Sequence, residues 1–120
     1  MSFQDTLKSI CQQVPGCRSA VVMNIEGMEV ARHQEGEDDL DIEVLLIELT
    51  GSVKMAVQAA AAVEGGQVDE FSLSFDKGQL AIRLLNEEHF LAILLEPGGL
   101  LGKGRYVMRC QSDELKKELF

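Results

Sequence analysis

Between residues 42 and 63 the sequence runs for about six helical turns, and after Val44 it carries only two charges, Glu48 and Lys54. Placing successive residues about 100° apart puts Ile42, Leu45, Leu46, Leu49, Val53, Ala56, Val57 and Ala60 on one face. Val44, Ile47, Gly51, Met55, Gln58 and Ala62 fall on the opposite face. A helix that is apolar around its circumference needs cover on more than one side. A chain of 120 residues folds into two or three layers, and its outer layer is exposed. The second face therefore predicts contact with another polypeptide. Gly51 costs about 1 kcal/mol in mid-helix relative to alanine, and close approach of a second backbone accounts for it. Most soluble oligomers are symmetric homodimers, so the expected partner is a second copy. Helix propensity alone explains the alanines at 56 and 59–62, but not Val44, Ile47 and Met55. A membrane span needs about 20 strongly apolar residues. Glu48, Thr50, Gly51, Ser52, Lys54 and Gln58 argue against insertion.

The flanking segments read as ordinary amphipathic elements. Phe3, Leu7, Ile10, Cys11 and Val14 form one helical stripe, with Ser2 as N-cap and Pro15-Gly16 as the stop. Residues 19–24 are apolar on both pleat faces, which predicts a strand covered above and below. Ile25-Glu26-Gly27 turns into an outer strand over residues 28–33. Six acids crowd residues 35–43. Their spacing does not fit an EF-hand loop, and the run predicts a solvated loop with acids at a helix start. Gly65-Gly66 end the long helix. Residues 68–75 then alternate, with Phe71, Leu73 and Phe75 on one side and Glu70, Ser72 and Ser74 on the other. Asp76-Lys77-Gly78 and Asn86-Glu87-Glu88-His89 are turns around a strand over 79–85, and the strand over 90–96 is apolar on both faces and so lies mid-sheet. Leu101, Met108, Leu115 and Leu119 line a closing helix, with an interruption expected near Gly102 and Gly104. The order α-β-β-α-β-β-β-α, with tight hairpins making five strands antiparallel, predicts an α+β fold in one domain over residues 1–120.

The chemistry-bearing residues are sparse. A net charge of −9 without a Lys/Arg cluster speaks against nucleic acid as a partner. Two histidines and no tryptophan leave little material for a metal cage or an aromatic platform. Cys11, Cys17 and Cys110 contain no C-x-x-C pair and read as small buried hydrophobes in a reducing cytosol. No secretion signal is visible near the start, so a cytoplasmic location is expected. The string 98–104 has the strand-to-helix setting of a phosphate loop, but Pro97 takes the first glycine position and Gly104 that of the magnesium-binding Ser/Thr. No G-x-S-x-G elbow occurs, and His33 and His89 are expected as solvated residues near strand ends or turns. Nothing here calls for a cofactor or for catalysis. An enzyme or ligand sensor would need a pocket of roughly a few hundred Å³ with convergent polar groups.

The whole chain resembles the Roadblock/dynein light chain family. Residues 14–23, Val-Pro-Gly-Cys-Arg-Ser-Ala-Val-Val-Met, look like that family's passage from first helix to first strand. Residues 26–31 look like its Asp-Gly turn and second strand, with Glu26 in the Asp place, and residues 78–95 like its last hairpin. Residues 97–102, Pro-Gly-Gly-Leu-Leu-Gly, resemble the start of its final helix. The resemblance implies a profilin-like fold, with the long helix on one face of the sheet and the terminal helices on the other. It also implies dimerisation through the long helix and third strand, which adds Glu70, Ser72 and Ser74 to the expected interface. Family members bind or regulate small Ras-like GTPases or serve as adaptors. This acidic chain is similar to the bacterial MglB-like members, encoded with a gliding-motility GTPase. The implied function is a homodimeric, non-enzymatic regulator of a Ras-like GTPase, of the GTPase-activating kind. The alternative is a scaffold dimer in a larger complex that leaves GTP hydrolysis alone. Glu43, Glu48 and Lys54, bordering the expected seam, are the candidate partner contacts.

Overall fold

The computed structural model describes residues 2–37 and 39–119. In chain order the elements are helix α1 (Phe3–Gln13), strands β1 (Cys17–Asn24) and β2 (Glu29–Gln34), helix α2 (Ile42–Ala62), strands β3 (Glu70–Phe75), β4 (Gly78–Leu84) and β5 (His89–Leu95), and helix α3 (Leu101–Glu118). The order matches the sequence expectation, and local chemistry sets the boundaries. Ser2 Oγ accepts a hydrogen bond from the Asp5 amide, and Asp41 Oδ1 accepts one from Val44, which caps α1 and α2. Asp38, within the acidic run before α2, lies outside the described residues. In the turns after β1 and β4, Asn24 and Asn86 each accept two backbone N–H groups through their amide oxygens. α2 ends differently from expectation. Left-handed steps fall on Glu64 (φ 55) as well as on Gly66 (φ 85), and the Gly65 and Glu64 amides donate to Ala60 and Ala61. Those two bonds satisfy carbonyls the helix end would otherwise leave open.

All strand pairs are antiparallel, in the order β2-β1-β5-β4-β3. β1 and β5 are central, as their two-faced apolar sequences require. Val21, Met23, Leu80, Ile82, Phe90, Ala92 and Leu94 bury against Ile42, Leu46 and Val53 of α2. Ala20, Val22, Ala81, Leu91, Ile93 and Leu95 bury on the opposite side against α1 and α3. The α2 stripe thus covers one face of the sheet and the terminal helices the other.

The two proline-glycine segments meet. Gly16 (φ +88) approaches Gly99 so closely that a β-carbon would sit 2.4 Å from Gly99 Cα. Around them the Leu100 amide donates to Pro15 and the Glu96 amide to Gly16. Gln79 Nε2 reaches the carbonyls of Glu96, Pro97 and Gly99. The glycine-rich string is therefore a packed crossover rather than a loose loop. The expected break in α3 is absent, because Gly104 is buried against the sheet. A β-carbon there would lie 2.6 Å from Ile93 Cδ1. A glycine read as a helix breaker is a contact point.

Candidate functional site

α2 is long and apolar enough to cross a bilayer by length and composition, but its inner stripe is packed on the sheet. Of its 21 residues only Ile42, Leu46 and Val53 are buried. Every residue of the expected second face is exposed: Val44 (54 %), Ile47 (44 %) and Met55 (69 %), with Gly51, Gln58 and Ala62. Val57, expected on the inner face, is exposed as well. After Val53 no residue of α2 is buried, so the last turns overhang the core. A β-carbon added at Gly51 would meet nothing within 4 Å, so packing within the chain does not require this glycine.

β3 is an edge strand of the sheet that α2 covers. Asp69 O accepts from Leu84 N at 3.0 Å. With Glu70 opposite Arg83 and Phe75 opposite Gly78, antiparallel alternation points the backbone groups of Phe71, Leu73 and Phe75 at β4. Those of Glu70, Ser72 and Ser74 point out at the open edge. Phe71, Leu73 and Phe75 pack their side chains into the α2 core, leaving Glu70, Ser72 and Ser74 on the other side of the sheet. Ser72 and Ser74 are exposed, while the Glu70 carboxylate is held within the chain. Arg83 Nη1 lies 2.9 Å from one oxygen, and Arg105 Nε and Nη2 lie 2.9 and 2.8 Å from the other. Partial burial works against the Glu70 charge, but the Arg105 hydrogen bonds and the charges of Arg105 and Arg83 outweigh it and hold the carboxyl below its ordinary range.

The candidate contact charges stand on the exposed side of α2. Glu43 lies 3.8 Å from Arg32 and Lys54 4.0 Å from Glu26, loose pairs that contribute little. Glu48 makes no ion pair among the described residues. At the overhanging end of α2 a cleft of about 590 Å³ opens between Val57, Ala61, the stretch 66–69, the β4–β5 turn and Lys116. It meets the size expected of a ligand pocket, but its lining residues offer no hydroxyl, thiol or imidazole. Arg83 in its wall is already bonded to Glu70 and Ser112.

Two sequence readings on the other side of the sheet change. Cys110 is exposed, unlike Cys11 and Cys17, so the three cysteines are not alike. His33 is not solvated in a turn. It sits within β2, its ring 20 % exposed, with Nε2 2.9 Å from Glu35 Oε1. Cys11 Sγ and Cys17 Sγ lie 2.9 Å apart. Their shared hydrogen bond favours ionisation of Cys11 and, together with burial, pushes the Cys17 thiol up. His89 begins β5, its ring 3.2 Å from Asn86 Oδ1. Among the described residues no acid, base and nucleophile converge at the α2 face.

No family model matches the sequence, and no curated protein does. Among solved structures, the chain is 32 % identical to MglC from Myxococcus xanthus, with 98 % of this chain and 99 % of that one covered and a TM-score of 0.71. The Roadblock/LC7 domain from Streptomyces avermitilis is 18 % identical over 99 % of this chain and 98 % of its own, with a TM-score of 0.83. The gliding protein MglB from Thermus thermophilus is 16 % identical over 94 % and 84 %, with a TM-score of 0.82. The last two likenesses establish the profilin-like Roadblock fold. The first also establishes kinship.

Proposed function

Because the chain belongs to the Roadblock/LC7 family, among its MglB- and MglC-like members, we propose that it is a homodimeric regulator that docks a small Ras-like GTPase on its paired α2 helices. The carrying observation is the row Val44, Ile47 and Met55, exposed on the outer face of α2, which covers a sheet whose β3 edge is unpaired. An apolar face and an open backbone edge are what one isologous contact needs. Two copies of α2 cover each other, and two β3 edges join two sheets into one. In this reading Val44, Ile47, Gly51, Met55, Gln58 and Ala62 form the helical half of the seam. Ser72 and Ser74, with the Glu70 backbone, form the strand half.

The GTPase itself holds nucleotide and Mg²⁺. The regulator offers a rigid surface that changes the position of the partner's switch loops, with Glu43, Glu48 and Lys54 steering the approach. The test combines the purified protein with a Ras-like GTPase from the same genome, loaded with GTP. It reads complex formation by co-sedimentation and single-turnover hydrolysis with and without a regulator excess. A complex with an altered hydrolysis rate is the expected result. Binding without any rate change selects the scaffold reading, which draws on β2 as a second unpaired edge with Met28 and Val30 exposed near it. Neither binding nor rate change refutes the GTPase reading.

A further inference from the structure

We propose that Cys11, Cys17, His33 and Glu35 form a zinc site that staples α1 to the start of β1 and the end of β2. Three independent features bring these residues together. Cys11 lies on the buried stripe of α1. In β1 the partners of Cys17 and Ser19 on β5 are the adjacent residues Leu95 and Leu94, so Arg18 is an extra residue in the ladder. Simple alternation from Val21, which faces α2, would turn Cys17 towards α2 as well. The bulge at Arg18 re-aims it into the α1 side of the core. In β2 the period of two puts His33 and Glu35 on the same face as Ala31, which packs against that α1 core.

The donor atoms of Cys11, His33 and Glu35 converge, and Cys17 stands next to Cys11. Cys11 Sγ is 2.9 Å from Cys17 Sγ, and His33 Nε2 is 2.9 Å from Glu35 Oε1. Donor atoms of Cys11, His33 and Glu35 all lie within 4.8 Å of one another. Around a tetrahedral Zn²⁺, sulfurs at about 2.3 Å from the metal stand about 3.8 Å apart, and imidazole N and carboxylate O about 3.4 Å apart. These two pairs have to open by less than about 1 Å to admit the ion. Cys17 Sγ, which lies outside the 4.8 Å group and also contacts the Ser19 carbonyl, has to swing from Cys11 towards His33 and Glu35 to complete the site. Two thiols, an imidazole and one carboxylate suit zinc rather than the all-oxygen cations calcium and magnesium. On binding, both thiols release their protons to solvent, leaving two thiolates, one carboxylate and a neutral imidazole around the dication. Cys11 and Cys17 are 4 % and 8 % exposed, while the Glu35 side chain is 44 % exposed, which supplies the route in. Four protein donors make the site closed and structural rather than catalytic. A bare dithiol able to close into a disulfide would account for the sulfurs, but not for the imidazole and carboxylate beside them.

The experiment uses the full chain, untagged, reduced with a phosphine and checked for three free thiols. Co²⁺ is titrated as the spectroscopic probe, followed by Zn²⁺. The expected result is saturation at one equivalent, with thiolate-to-cobalt charge transfer and the intense visible bands of a four-coordinate site, both bleached by Zn²⁺. Cys17→Ser should cut the charge transfer to roughly half, since the Cys11 thiolate remains, and Cys110→Ser should leave it unchanged. If Cys17→Ser does not fold, His33→Ala and Glu35→Gln on the half-exposed edge carry the test. Each should weaken Co²⁺ by at least about tenfold, with the circular dichroism of the metal-free protein unchanged. The proposal is overturned by no cobalt spectrum at millimolar Co²⁺, or by a spectrum that follows Cys110 instead of His33. Isolation of a Cys11–Cys17 disulfide whose reduced form takes up no metal overturns it in favour of a redox pair.

Discussion

Met55→Asp tests the α2 seam where it is most open. Fully burying a Val, Ile or Met side chain contributes about 1.5–3 kcal/mol. Met55 is 69 % exposed, so covering what remains contributes about 1–2 kcal/mol. An isologous contact uses each residue twice, which makes the loss on replacing Met55 about 2–4 kcal/mol per dimer. That corresponds to about 30- to 700-fold in Kd. Aspartate adds the penalty of two charges placed in an apolar seam, so the figure is a lower bound. Sedimentation velocity and light scattering across a dilution series read it directly. Wild type should weigh twice the 13.2 kDa of one chain, and the variant should fall to a single chain at the same concentration. Because the Met55 side chain is already exposed, the variant monomer should melt within about 0.5 kcal/mol of wild-type stability. A wild-type protein of 13.2 kDa at about 8 kcal/mol of association, that is micromolar concentration, refutes the reasoning. So does a Met55→Asp dimer of undiminished affinity.

Glu70→Gln leaves Arg83 and Arg105 facing a neutral amide, and should destabilise the fold by about 1–2 kcal/mol, read by thermal melting at neutral pH. Since the folded Glu70 carboxyl titrates below its ordinary 4.5, its stabilisation is fully present above that pH. It is lost as pH falls through the lower folded value. The variant should therefore lose less stability than wild type on acidification, and equal acid sensitivity would count against the clamp. Gly51→Ala should stabilise the subunit by about 0.5–1 kcal/mol, since an added β-carbon meets open space and alanine favours the helix, while weakening self-association. Unchanged or tighter association would remove Gly51 from the seam.

The elements most legible in the sequence were those whose burial is uniform along their length. β1 and β5 are apolar on both faces and lie in the middle of the sheet, and the stripe Leu7, Ile10, Cys11 and Val14 of α1 is buried. The readings that changed depend on where one element ends relative to another. Val57 belongs to the inner stripe by angle, but the core stops at Val53, and a helical projection carries no information about where the sheet beneath it ends. Gly104 has the composition of a breaker, and only the closeness of Ile93 shows its use. Cys17 lies on the wrong face by alternation until the bulge at Arg18 is known.

The two open edges of the sheet are not equivalent, and their difference bears on where a second copy docks. β2 has a register break opposite Met23 and carries the Glu29–Arg32 ion pair along its length. Bulges and edge charges disfavour pairing with another strand. β3 pairs with β4 in unbroken register from Glu70 to Phe75 and presents small, uncharged Ser72 and Ser74 along its outer row. Its one acid is already bound by two arginines of the same chain, so joining two such edges brings no uncompensated carboxylates together. Pairing at β2 would instead set two charged, irregular edges against each other. The distribution of charge and register therefore favours β3 over β2 as the strand of the proposed seam.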